Sequence, residues 1–276
     1  MSTINTNLPA LNTQRNLAQS HGSLATAVQR LSSGLRVNSA KDDAAGLAIA
    51  ERMSAQVRGM NVAIRNSNDA ISLAQTAEGA MAKVSDSLQR MRELAVQSAN
   101  ATNSAADRSN LNAEFAQLGA EITRVLAGTT FNNLAILGVD AGTLSFQVGA
   151  GTTANDTISI TTARLDNAAT IVAVSAGSIT SAALSATAIN DIDVAIDAIT
   201  TERSNFGAAQ NRFEATIANL QISSESNAAA RSRIVDADYA METAALSRAQ
   251  ILQQAGTAML AQANQIPNGV LQLLRG

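Results

Sequence analysis

Residues 44–99 read AAGLAIAERMSAQVRGMNVAIRNSNDAISLAQTAEGAMAKVSDSLQRMRELAVQSA, and this stretch decides the fold. Met53, Val57, Met60, Ile64, Ile71, Ala74, Met81, Val84, Leu88, Met91 and Ala95 recur at helical three- and four-residue steps. No proline interrupts them, and Pro9 and Pro267 are the only two in the chain. A single helix of this length spans roughly 84 Å at 1.5 Å per residue, too long to fold back into a ball. The stripe predicts a rod that needs long partner helices beside it.

Partners are present on both sides. Upstream, Leu17, Leu24 and Leu31 repeat every seven residues, with Val28 and Leu35 filling four-residue steps, a coiled-coil-like seam over about Leu8–Leu35. Asn38 to Asp43 then breaks the pattern. Ser39 and Asp42 have capping-box spacing, and two carboxylates stand where a helix N-terminus favours negative charge. Downstream of residue 99, Ala101 to Asp107 reads as a polar turn and Arg108 to Leu126 as a shorter helix. From about Ala188, Ile192, Ile199, Phe206, Phe213 and Leu220 form another heptad series. A last helix, Tyr239 to Leu274, carries Ala245, Ala249, Leu252, Gly256, Met259, Ala263 and Ile266, a seam that alternates large and small residues and permits close contact.

Between these zones the period changes from helical to two. Leu144, Phe146 and Val148 alternate with polar neighbours, as do Ile158 and Ile160 after the turn segment Gly149 to Asp156, which predicts a β-hairpin. Asn167 to Ala186 is too low in complexity for an assignment. The fold expected is mainly α: an elongated rod of long antiparallel helices in coiled-coil-like packing, with a small β-hairpin. The terminal helices have only each other within one chain, so their leftover apolar faces are candidate interfaces to other copies.

Composition narrows the function. Of 276 residues only 2% are aromatic, with five Phe, one Tyr and no Trp, so Ala, Leu, Ile, Val and Met must fill the interior as thin helix contacts. Net charge is −3, and two lysines, Lys41 and Lys83, stand beside arginines that form no basic tract, which argues against nucleic-acid binding. Cysteine is absent, so disulfides and thiolate metal sites are excluded. No apolar run is long enough to predict a membrane span. Met1 to Asn7 has neither a cationic nor an apolar signal region, so export without a cleaved signal is expected.

Catalysis and cofactors are not expected. His21 is the only histidine; it could be a metal ligand or a pH switch, but on the first seam it reads as a partly buried packing residue. One histidine without cysteine supplies no zinc set and no His-Glu-x-x-His motif. The paired carboxylates Asp42–Asp43, Asp191–Asp193 and Asp236–Asp238 read respectively as a helix start, an exposed helix N-terminus and a helix-connecting segment. Arg231, Arg233, Asp236 and Asp238 form a mixed-sign cluster, either a solvated face or an inter-subunit polar contact that sets register.

Long motifs then carry a resemblance. Leu31-Ser32-Ser33-Gly34-Leu35-Arg36-Val37-Asn38-Ser39-Ala40-Lys41-Asp42-Asp43-Ala44-Ala45-Gly46-Leu47 is similar to the N-terminal signature of bacterial flagellins, as is Leu88-Gln89-Arg90-Met91-Arg92-Glu93-Leu94-Ala95-Val96. Ala230-Arg231-Ser232-Arg233-Ile234, Asp236-Ala237-Asp238-Tyr239-Ala240 and Ser247-Arg248-Ala249-Gln250-Ile251-Leu252 resemble the C-terminal region. The resemblance covers roughly residues 1–165 and 188–276.

It implies a subunit that self-assembles into the extracellular flagellar filament for swimming motility. A filament-core domain of paired terminal helices would comprise residues 1–43 and 236–276. A helical rod domain would comprise 44–139 and 187–235, and residues 140–186 would form the hairpin and a minimal variable outer segment. The implied assembly seam is Leu17, Leu24, Leu31, Leu252, Gly256, Met259 and Ile266. Implied partners are other flagellin subunits, the flagellar export apparatus, a secretion chaperone on the C-terminal helix, and the filament cap and hook-associated proteins. Arg90, Leu94 and Glu114 match positions by which flagellins are recognised by host Toll-like receptor 5. The alternatives are a hook–filament junction protein, with sparser motif matches, and a surface adhesin or carbohydrate-binding module, which needs an aromatic pocket that residues 167–186 do not supply.

Overall fold

A computed structural model describes the backbone of residues 6–273 and the side chains of residues 6–265. The chain forms two compact units, Met1–Ala55 with Ser226–Gly276, and Gln56–Glu225. Helix α1 is Leu8–Ser33, α2 Ala44–Ala99, α3 Ala105–Gly128, α4 Ala169–Ser175, α5 Ala182–Val235 and α6 Tyr239–Leu273. Four short strands lie between α3 and α4: β1 Thr130–Phe131, β2 Leu134–Ala135, β3 Thr143–Gln147 and β4 Thr157–Thr161. The chain is therefore mainly α with a small antiparallel hairpin, and α2 begins and ends at the residues its sequence predicts.

In the first unit α1 and α6 run antiparallel. Asn7 Nδ2 donates to Ala263 O at 2.9 Å at one end, and Tyr239 Oη donates to Leu31 O at 3.0 Å at the other. Asn7 Oδ1 caps α1 by accepting from Ala10 N–H, and Gly34 ends it at φ 71°, a left-handed conformation that costs glycine little. The covered positions of α1 are Ala10, Leu17, Leu24 and Leu31, with Thr13, Ser20 and Ala27 at the three-residue steps between. Those of α6 include Leu246, Ala249, Gln253, Gly256, Leu260 and Ala263. A Cβ on Gly256 would lie 3.1 Å from Leu17 Cδ1, so the missing side chain lets Leu17 seat against the α6 backbone. Ionisable side chains are scarce in the pair: Arg15, His21 and Arg30 on α1, Glu242 and Arg248 on α6. Arg30 and Glu242 bond each other at 3.0 Å.

Two expectations are corrected here. Val28 and His21, placed on the α1 seam by their four-residue steps, are exposed. With a single helix as partner, contact is confined to a strip two positions wide per heptad, and it takes the three-residue steps instead. The Ser39–Asp42 pair closes the preceding turn: Asp42 Oδ2 accepts from the N–H groups of Asn38 and Ser39 and from the Ser39 hydroxyl. The N-terminus of α2 is capped by Asp43, which accepts from Gly46 N–H at 2.8 Å. Main-chain bonds join this connection to the one after α5, with Arg36 N–H on Val235 O at 2.6 Å and Ala237 N–H on Gly34 O at 2.9 Å.

In the second unit, the heptad residues Ile192, Ile199, Phe206 and Phe213 of α5 share one buried cluster with Met81, Leu88 and Met91 of α2 and Phe115, Ile122 and Leu126 of α3. Helices α2 and α5 are antiparallel, since Arg92 pairs with Asp193 at 2.7 Å and Glu78 with Arg203 at 3.8 Å. Each such buried side chain contributes roughly 1.5–3 kcal/mol. The hairpin pairs Leu144 with Ile160 and Phe146 with Ile158, and Phe146 meets Phe213 edge-on with ring centroids 5.7 Å apart. A box of Ser104 and Asp107 caps α3.

The low-complexity segment folds further than its sequence reveals. It holds α4, which packs where Gly119 of α3 brings Ser175 Cα within 3.1 Å of a built Cβ. Helix α5 starts at Ala182 rather than about 188, so Asp191 and Asp193 lie inside it and not at an exposed N-terminus. The β1–β2 turn, Asn132–Asn133 at φ 49° and 65°, also escapes the alternation pattern because its strands have two residues each. Asparagine tolerates the left-handed region, and this pair makes the tight turn that right-twisted strands favour.

Candidate assembly and recognition surfaces

The alternating stripe predicted on α6 divides between two faces. Its small members Ala249, Gly256 and Ala263 face α1. Its large members Leu252 and Met259 do not: they are 50% and 61% exposed. This corrects the reading of one continuous seam. The contact with α1 takes Ala249, Gly256 and Ala263 together with Leu246 and Leu260, while Leu252, Met259 and the small Ala245 fall on the flank. Tyr239, Met241 and Ile251 join them on the exposed surface, as do Leu8, Leu11 and Val28 on α1. These additions are missed by following only one heptad line, yet their signal is present: apolar residues on two faces of one helix. Ile266 lies outside the residues whose side chains are described.

Arg90 of α2 and Glu114 of α3, 24 residues apart, are brought together. Arg90 Nε donates to Glu114 on α3 at 2.9 Å, and Arg90 Nη1 donates to Glu93 at 3.0 Å. Those two carboxylates hold the guanidinium pKa above its ordinary value. Leu94 is 1% exposed and belongs to the core between α2 and its neighbours. It therefore presents no apolar contact of its own, because the side of α2 that carries it, with Met91 and Ala95, faces the core. The exposed neighbours are Arg92, Glu93 and Val96.

The mixed-sign cluster at the α5–α6 connection is not a set of ion pairs. Asp236 accepts from the Ser232 hydroxyl at 2.5 Å, and Asp238 Oδ1 caps α6 by accepting from Ala240 N–H at 2.8 Å. Among the described residues neither Arg231 nor Arg233 pairs with a carboxylate. His21 is exposed, and no cluster of three or more metal-ligating side chains occurs among the described residues. No helix of the described residues is long and apolar enough to cross a membrane.

Comparison with known proteins fits this division into helical ends. The bacterial flagellin N-terminal helical region matches residues 4–143, and the bacterial flagellin C-terminal helical region matches residues 189–274. The chain belongs to the bacterial flagellin family. A flagellin of Halalkalibacterium halodurans is 50% identical over 99% of both chains, and a flagellin of Bacillus subtilis is 41% identical over the same shares. The crystal structure of Bacillus cereus flagellin, 31% identical, superposes on 56% of this chain and 88% of that one with a TM-score of 0.50. As a flagellin, the chain is a structural subunit of the extracellular flagellar filament and polymerises with other flagellin subunits. The matches favour this over a junction protein or an adhesin.

Proposed function

We propose that the outward stripe of α6, with Leu252 and Met259 at its centre, is the surface on which neighbouring subunits pack. One observation carries the reading: Met241, Ile251, Leu252 and Met259 stay exposed although α1 packs along the helix. Leu17, Leu24, Leu31 and Gly256 serve the same purpose indirectly, by holding α1 and α6 together so that the stripe faces outward. Ile266 extends the stripe by its spacing from Met259. A contact of this kind, repeated head to side without closing, generates an open helical polymer. Arg231 and Arg233 supply polar contacts that set register between copies. Leu252→Asp tests the assignment, since burying an unpaired charge is costly. The variant should remain helical and fail to sediment as filaments; normal polymerisation would refute the stripe.

The residue blocks 1–43 with 236–276, 44–139 with 187–235, and 140–186 are taken as filament-core, rod and outer parts. The subunit reaches the cell exterior through the flagellar export apparatus. A secretion chaperone covers the apolar C-terminal helix on the way, and cap and hook-associated proteins adjoin the polymer. The chain performs no catalysis. The Arg90–Glu114 pair is the centre of the surface recognised by Toll-like receptor 5, with Leu94 supporting it from beneath. An exposed, doubly bonded guanidinium on two packed helices supports that reading. Arg90→Ala and Glu114→Ala monomers should keep their circular dichroism and lose receptor activation; undiminished signalling by both would move the site elsewhere.

A further inference from the structure

Of the seven methionines, the six among the described residues fall into two groups. Met60, Met81 and Met91 are buried on the inward stripe of α2, Met81 and Met91 with no exposed surface, and Met53 is half-buried. Met1 lies outside the described residues. Met241 and Met259 stand apart, 70% and 61% exposed on α6. Eighteen residues separate them, five full turns at 3.6 residues per turn, so both thioethers lie on one line along the helix. Leu252 lies within about 20° of that line.

We propose that Met241 and Met259 are a reversible oxidation site that controls whether a subunit can enter the polymer. This rests on the outward stripe being the packing surface. The oxidant is a two-electron oxygen donor such as hydrogen peroxide. Its O–O bond breaks, one oxygen bonds to the thioether sulfur, and the other leaves as water. Sulfur is oxidised by two electrons and the peroxide is reduced by two. The product is a polar, chiral sulfoxide in place of a flexible apolar group. In the free subunit that group is solvated. Packed against another apolar helix it would have to shed water without gaining a hydrogen-bond partner, which disfavours assembly. The buried methionines of α2 do not meet the oxidant while the second unit is folded. Damage is thus directed to two positions where it removes a subunit from assembly and leaves its fold intact.

The test treats full-length monomer with limiting hydrogen peroxide, maps sulfoxides by peptide mass spectrometry and measures the critical concentration for polymerisation. Met241 and Met259 should oxidise well before Met81 and Met91, and assembled filaments should protect both. The critical concentration should rise on the order of tenfold. Methionine sulfoxide reductases of both epimer specificities should restore it. Met241→Leu/Met259→Leu keeps the stripe apolar and should assemble after peroxide treatment as before. Equal oxidation of the buried methionines, unchanged assembly of the oxidised monomer, or no recovery after reduction would each overturn the proposal. Leu252→Asp separates the two readings. If it abolishes assembly while oxidised monomer polymerises normally, the stripe stands and the oxidation site falls. If Leu252→Asp also polymerises, the stripe itself is wrong.

Discussion

The terminal pair α1–α6 and the α2–α3–α5 core obey the same heptad arithmetic and reach opposite results. In the core, each helix meets more than one partner, so three- and four-step positions are both covered and Phe206, Phe213 and Phe115 become inaccessible. In the terminal pair each helix meets one partner. The covered strip narrows to one line, on which Ala27, Ala249 and Ala263 are buried and Leu17, Leu24, Leu246 and Leu260 only half-buried, and Leu252, Met259 and Val28 remain outside. Equal periodicity therefore does not mean equal burial. The number of partners sets the width of the strip, and what a strip leaves uncovered is available to another copy.

Removing residues 239–276 should break the comparison most completely. Filaments should be lost altogether, while the cooperative thermal transition of the second unit, followed by circular dichroism, should persist. Polymerisation of the truncated chain under conditions that assemble the full chain would show that the terminal pair is dispensable. Next in size, Phe213→Ala should destabilise the monomer by about 3–5 kcal/mol in urea unfolding, because it empties a closed core and removes the Phe146 contact. Leu24→Ala, on the half-covered strip, should cost the monomer well under half of that. Equal losses would mean that the terminal pair is as well buried as the core.

Gly256→Ala is a finer probe. Its Cβ meets Leu17 Cδ1 at 3.1 Å, so Leu17 must give by a few tenths of an ångström. Monomer helicity should be little changed, and the critical concentration should rise a few-fold. An unchanged value would mean that the two helices are not held at this spacing in the polymer.

How far the sequence was legible follows from the same contrast. Helix α2 was readable to its end residues because many turns of regular spacing leave no competing pattern. Face assignment on α1 and α6 was not, since a heptad line alone does not say whether the partner takes the three- or the four-residue step. His21 and Val28 went the wrong way for that reason, and Leu252 and Met259 proved to be flank residues. The segment 167–186 was opaque because α4 has seven residues, too few for periodicity to show, and its packing depends on Gly119 far away in sequence. Of the residues proposed for recognition, Arg90 and Glu114 do lie together, whereas the burial of Leu94 depends on which side of α2 faces the core.

The smallest effect expected is with acid. Hydrogen bonds from Ser39, Ser104 and Thr153 hold the carboxyls of Asp42, Asp107 and Asp156 below their ordinary pKa values. A carboxyl depressed in the folded state contributes stability that is present above its unfolded pKa and is lost as pH falls through the folded one. Below about pH 4 the turns they close should therefore weaken. Asp42 and Asp107 are solvent-exposed and Asp156 is half-buried, so the drop in melting temperature should be slight. Ser104→Ala should lower the melting temperature at neutral pH and flatten its acid dependence; an unaltered acid profile would exclude this turn as a contributor.

One feature of the terminal pair reaches beyond the single chain. Helix α6 carries two charged side chains, Glu242 and Arg248, and the first is occupied by Arg30. Dissolved ions act on charges, over about 8–10 Å at ordinary ionic strengths, and leave apolar contacts between neutral side chains largely alone. Contacts made through this face should respond little to charge screening, whereas those of Arg231 and Arg233 should weaken as salt rises.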